Sequence, residues 1–185
     1  MAASTDKREM ILQAAGELLL RHGLRGTSME AIARQARVAK PTLYAYFPDK
    51  QAIFAALTAD LIAGWKEDFL AALRGDGDIV QRIGAALVAK HKGAMRLLAD
   101  SPHAAELYSE HDRLAGGQFR HLDAALAAAL EHELSAAGIV RARLLTQLLL
   151  AASFGIGHKA QSPAELGPAL RLLTERLVRP ELPKA

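Results

Sequence analysis

An all-α fold is what this sequence predicts, and three observations carry the prediction. Ala and Leu, both strong helix formers, dominate the 185 residues. β-branched residues are scarce and aromatic residues make up 5% of the chain, which excludes an all-β fold and disfavours an α/β sheet. Apolar positions recur at helical spacing between capping residues, glycines and prolines. With 51% hydrophobic and 23% charged residues the chain is globular, and its length suits one domain or two small ones.

About nine helices follow in order. The first begins near Asp6, with Glu9 three residues on, buries Ile11, Ala14, Ala15, Leu18 and Leu19, and stops at Gly23. A Thr27-Ser28-Met29-Glu30 capping box opens the second, which buries Met29, Ile32, Ala33 and Ala36 and ends near Arg37-Val38. Residues 39–47 form the third, with Pro41 in its first turn, where a missing N–H costs nothing. Pro48 ends it and Asp49 caps the fourth, about Lys50 to Arg74. Gly75-Asp76-Gly77 is a loop, and the fifth helix runs from Ile79 to about Ala99. Ser101-Pro102 starts the sixth, Gly116-Gly117 breaks or bends it, and the seventh reaches about Ala137 before Gly138. The eighth covers Arg141 to Gly157. The ninth starts at Ser162-Pro163 or at Gly167-Pro168, and Pro180 terminates it.

Charge singles out the first quarter of the chain. Residues 1–50 carry eight Lys/Arg and five Asp/Glu, whereas residues 51–185 carry 15 of each, so the whole net charge of +3 lies in the first segment. That segment is expected to be a separate DNA-binding domain, 1–50, ahead of a neutral domain, 51–185. A basic excess beside a neutral body suits an anionic partner. Three short helices with a tight turn between the second and third match a helix-turn-helix unit.

The third helix has the side chains for a duplex. Lys40 at its start reaches a phosphate or a guanine edge, and Pro41 and the Thr42 methyl suit a thymine methyl. Tyr44 and Tyr46 offer hydroxyls to phosphate oxygens on either side. Thr27 and Lys50 lie at helix N-termini, where backbone N–H groups favour an anion. Leu43 and Phe47 read instead as core.

The stretch Gly23 to Leu57 resembles the DNA-binding region of the tetracycline-repressor (TetR) family. The residues that carry the resemblance are Gly23, Gly26-Thr27-Ser28, Ile32-Ala33, Ala36, Val38, Pro41-Thr42-Leu43-Tyr44, Tyr46-Phe47, Lys50, Phe54 and Leu57. It implies about nine helices, a homodimer, and repression of transcription relieved by a small ligand. Two positions depart from the family pattern: Arg37 stands where the turn usually has glycine, and Ala39 where Ser or Thr usually caps the third helix. Either the turn tolerates a strained Arg37, or Arg37 compensates by touching phosphate.

The neutral part offers two further readings. Leu144, Leu145, Leu148, Leu149 and Ala152 of the eighth helix, with Leu166, Leu170, Leu173 and Leu177 of the ninth, suit either a symmetric interface between two copies or an ordinary core. The resemblance selects the homodimer, through the last two helices. Trp65, Phe69, Met95, Tyr108, His111, Phe119 and Phe154 are the candidate lining of an effector pocket, with His91, His103, His121 and His158 as further polar groups. With no net charge around it, that pocket is expected to take a mainly apolar or aromatic effector.

Other chemistries find little support. The chain has no cysteine, hence no disulfide, thiolate nucleophile or Cys-bound zinc, and it suits a reducing, cytoplasmic compartment. The N-terminus shows no signal-peptide pattern, and the uncharged run from Leu144 to Gly157 is too short to span a membrane. Glu106, Glu110, His103 and His111 could gather on one helical face, but no metal motif accompanies them, so neither metal nor cofactor is expected. No nucleophile elbow, Walker loop or dinucleotide fingerprint is present, and catalysis is not expected. The alternative is a ligand-binding or protein-binding helical bundle whose helix-turn-helix is vestigial, and behind it an enzyme built on the His/Glu cluster.

Overall fold

The structure, a computed structural model, describes residues 2–99, 101–160 and 162–183. The described residues form eight helices: α1 (Ala2–Gly26), α2 (Met29–Gln35), α3 (Lys40–Tyr46), α4 (Lys50–Leu73), α5 (Ile79–Ala99), α6 (Ala104–Ala136), α7 (Ala142–Lys159) and α8 (Pro163–Leu177). A 3-10 turn, Arg179–Glu181, follows. The chain divides into two compact units, residues 1–62 with 98–118 and residues 63–97 with 119–185. The expected boundary after residue 50 differs from this division, in which α4, α5 and α6 each contribute to both units.

In the first unit, α1 is interrupted at Gly23 (φ 71°, ψ 175°), a conformation open to glycine alone. Thr27, 3% exposed, donates its hydroxyl to the Gly23 carbonyl at 2.7 Å. That bond removes Thr27 from the capping role the sequence suggested. Ser28 is the N-cap of α2 instead, extended at φ −116°, and its Oγ accepts the Ala31 N–H at 3.1 Å. Asp49 caps α4 as expected, accepting the Ala52 N–H at 2.7 Å. Ile11 and Ala15 of α1, Ile32 of α2, Leu43 and Phe47 of the third segment and Ile53 of α4 close one apolar core. Ser101, ahead of α6, donates its hydroxyl to the Leu20 carbonyl at 2.8 Å and accepts the His103 N–H.

The second unit buries Phe69 and Leu73 of α4, Ile83 and Leu87 of α5, and Leu149 of α7. From α6 it buries Leu122, Leu126, Leu130 and Leu134, one residue per turn. Ion pairs join α5 to α6, Arg82 to Glu133 at 3.2 Å and Lys90 to Asp123 at 2.8 Å. The end of the chain is tied back by Arg179 to Asp78 at 3.1 Å and by Arg141 to Glu181 at 2.5 Å.

Two expectations about elements change. The sixth and seventh helices of the sequence reading are one, because α6 runs 33 residues straight through Gly116-Gly117. A glycine costs a helix only about 1 kcal/mol against alanine, and the leucine row beyond it repays that by burial. The last helix takes the earlier of its two starts: Ser162 is extended at the cap position, Pro163 begins α8, and Pro168 lies inside it. Pro168, sixth in the helix, forgoes its backbone bond to the Ala164 carbonyl.

Candidate nucleic-acid interface

Seven residues give α3 two distinct faces. Leu43 and Phe47, four residues apart, point into the core, so Lys40, Pro41 and Tyr44 fall on the exposed side and Thr42 is half-buried between them. Ala39, at the cap position, makes no side-chain cap bond. Of the two tyrosines expected at the surface, only Tyr44 is exposed; Tyr46 is half-buried and packs on the apolar core.

Lys40 is not alone on its face. Its Nζ donates to Glu30 Oε1 at 2.5 Å and lies 6.0 Å from the centre of the Tyr44 ring. The hydrogen bond from Lys40 holds the Glu30 carboxyl below its usual range, and the same bond raises the Lys40 ammonium above its own.

The turn that precedes α3 closes with two backbone bonds, Arg37 N–H to the Arg34 carbonyl at 3.2 Å and Val38 N–H to the Ala33 carbonyl at 3.0 Å. This is a Schellman ending, which needs a left-handed residue at its middle. Arg37 fills that place at φ 54°, where the family pattern has glycine, with its side chain exposed.

The side chains of Thr27 and Lys50, both expected near phosphates, turn inward. The Thr27 hydroxyl is buried on the Gly23 carbonyl. Lys50 Nζ donates to the Leu24 carbonyl and, at 2.7 Å, to the Thr27 carbonyl. An ammonium that closes the end of α1 serves the fold, and Arg37 and Lys40 are exposed cations at the turn and at the start of α3.

Residues 11–57, from the core face of α1 into α4, match the family model of bacterial regulatory proteins, tetR family. The likeness to the tetR family is carried by this segment, within the first third of the chain. Among curated relatives, the HTH-type transcriptional regulator RutR of Escherichia coli K12 is 36% identical over 81 residues, 39% of this chain and 38% of RutR. The first curated relatives are thus matched over little more than a third of their own length. The crystal structure of a TetR/AcrR-family regulator of Thermobifida fusca YX-ER1 superposes with a TM-score of 0.72 at 23% identity, over 91% of this chain and 96% of that one. The SmeT–triclosan complex superposes with a TM-score of 0.68 at 18% identity, over 92% of this chain and 90% of SmeT. These two likenesses are of fold.

The residues expected to line an effector pocket differ in exposure. Trp65 is half-buried, with its indole against Gly93, where an added Cβ would stand 2.5 Å from Nε1. Phe69 is fully buried and Met95 half-buried. Tyr108, His111 and Phe119 lie on α6, but their side chains fall outside the described residues, as do those of Glu106 and Glu110. Phe154 does not fit an interior pocket: it is 60% exposed and stacks on His158, centroids 6.3 Å apart. It shares that surface with Leu144 and Leu148 of α7, and Leu172 of α8 is exposed as well. A groove of about 430 Å³ lies between α5 and α8, bordered by Val80, Val88, Lys92, Arg171 and Glu175, and none of the expected lining residues borders it.

His91 gains importance that its sequence context did not give it. Its Nε2 is buried without a hydrogen-bond partner, and its ring lies so close to Gly157 that a Cβ there would stand 2.6 Å from Nδ1. Burial pushes the imidazole pKa down to about 4, neighbouring Lys90 adds to this, and Asp123 opposes it. The ring is therefore neutral near pH 7, with one nitrogen open to an uncharged hydrogen-bonding group. Among the described residues no group of three or more His, Asp or Glu side chains is placed to hold a metal, and no helix is long and apolar enough to cross a membrane.

Proposed function

We propose that this chain is a transcriptional repressor that binds an inverted-repeat operator as a homodimer and is released by a small, mainly apolar effector. The observation that carries the reading is the exposed face of α3, where Lys40, Pro41 and Tyr44 stand clear of a helix-turn-helix core built from Leu43 and Phe47. A short helix presented in this way enters a major groove, and two copies read two half-sites about one turn, roughly 34 Å, or a multiple of it, apart. Arg37, Lys40, Pro41, Thr42 and Tyr44 are the contacts in this reading.

The exposed leucines of α7 and α8 supply the dimer face, since a two-fold axis can bury the same apolar patch on both copies. Phe154 belongs to that face. Trp65, Phe69, Met95 and the neutral His91 supply an apolar surrounding with one hydrogen-bonding nitrogen for the effector. The SmeT complex with triclosan, an aromatic ligand on the same fold, supports that chemistry. An effector releases DNA only as far as it prefers the unbound state, and a hundredfold preference is worth about 2.7 kcal/mol. By reciprocity, operator must weaken effector binding by the same factor. Selection from a random duplex pool tests the reading: an inverted repeat should be enriched at moderate salt, and enrichment of no sequence would overturn it.

A further inference from the structure

The Glu30–Lys40 pair sits on the face that would meet DNA; an acidic residue in the first turn of α2 suits the helix, but that does not require its pairing with Lys40. Both side chains are more than half exposed, 62% and 54%. Exposed pairs of this kind add little to stability and are weakened by salt. Nor does Glu30 complete a capping box, since Ser28 caps α2 through the Ala31 N–H alone. Glu30 instead spans from the first turn of α2 to the first residue of α3 and fixes the lysine against the Tyr44 ring.

We infer that Glu30 is a specificity-determining residue, which positions the Lys40 ammonium for a base edge and withholds its charge from phosphates at large. The inference rests on the DNA-binding reading above. A lysine ammonium has three donors. Glu30 takes one, and the remaining two stay available to a guanine edge, which accepts through O6 and N7. Holding the long side chain in one place also removes ordering that binding would otherwise require.

The same pair acts on non-specific binding with the opposite sign. Affinity for any duplex comes mainly from cations that displace condensed counterions at phosphates. A lysine already neutralised by a carboxylate contributes little to that term, and the carboxylate repels the phosphates nearby. Glu30 thus lowers affinity for random DNA more than for the operator, and the ratio between the two rises.

The test compares the wild type with Glu30→Gln, Glu30→Asp, Lys40→Ala and the Glu30→Gln/Lys40→Ala double variant. Each is titrated with the selected duplex and with a random-sequence duplex over a range of salt, after thermal melting has shown that it is folded. For Glu30→Gln, random-duplex affinity should rise three- to tenfold, the ratio of selected to random binding should fall by at least as much, and the random-duplex salt slope should steepen by about one per subunit. Glu30→Asp, which keeps the charge, should recover most of the ratio. In the Lys40→Ala background, Glu30→Gln should leave the ratio unchanged. An unaltered ratio for Glu30→Gln, or the same change with and without Lys40, would overturn the inference while leaving the DNA-binding reading intact. If no duplex is selected at all, both fall.

Discussion

Arg37 ends α2 in the same left-handed turn with which Gly138 ends α6. At Gly138 (φ 81°) the N–H of the glycine meets the Ser135 carbonyl and the next N–H meets that of Leu134, and the Arg37 turn repeats both bonds with Arg34 and Ala33. Glycine adopts this conformation freely, whereas a side chain there costs on the order of 1 kcal/mol. Arg37→Gly should therefore raise stability by up to about 1 kcal/mol in urea unfolding. Gly138→Ala should lower it by more, because its Cβ would also come within 2.9 Å of Pro183. A loss of stability in Arg37→Gly would mean that the guanidinium makes a compensating contact.

How far the sequence speaks for this structure depends on whether a feature is local. The first short helices were legible because their signals are local: the apolar spacing of Ile32, Ala33 and Ala36, Pro41 in the first turn of α3, and the cap at Asp49. The fate of Lys50 was not, since its partners, Leu24 and Thr27, are 26 and 23 residues away. Nor was the Glu30–Lys40 pair, because a capping box offered Glu30 a nearer partner. Gly116-Gly117 misled for the complementary reason: local propensity argued for a break, and the leucine row from Leu122 to Leu134 overrode it. In the effector region, aromatic identity alone could not separate a core residue such as Phe69 from a surface residue such as Phe154.

Lys50→Met separates the two roles open to that residue. Methionine keeps the apolar stem but leaves the Leu24 and Thr27 carbonyls without their shared donor. Stability should drop by about 2 kcal/mol. The salt slope of DNA binding by the folded variant should stay at the wild-type value. A slope lower by about one per subunit would show that the ammonium reaches phosphate in the complex.

His91 makes stability depend on pH in a defined window. Its folded pKa of about 4 lies below the ordinary value of 6.5, so between those limits the unfolded chain binds the proton and the folded chain does not. Stability should then fall as pH is lowered from 6.5 towards 4, by about 2 kcal/mol between pH 7 and pH 4.5. His91→Gln should flatten that part of the profile relative to the wild type. Identical slopes for the two proteins in urea unfolding would assign the acid sensitivity to other groups.

The exposed leucines of α7 yield the last prediction. Leu144 and Leu148 stand one turn apart at 50% and 49% exposure, with Phe154 at 60% further along the same helix. Solvent-facing apolar side chains in such a row are costly unless something covers them. In a two-fold interface each substitution counts twice, because the same residue sits on both copies. Leu148→Glu would place two carboxylates in a desolvated patch across the two-fold axis, so micromolar protein should sediment as a monomer while the wild type sediments as a dimer. Operator affinity should fall by far more than the factor of two expected from halving the sites, since the second recognition helix would no longer be held at high effective concentration beside the first. Thermal melting of the monomer should still be cooperative, because Leu145 and Leu149, which face inward, are untouched. A Leu148→Glu protein that stays dimeric would move the interface off α7, and a monomeric wild type would leave that apolar row to some other partner.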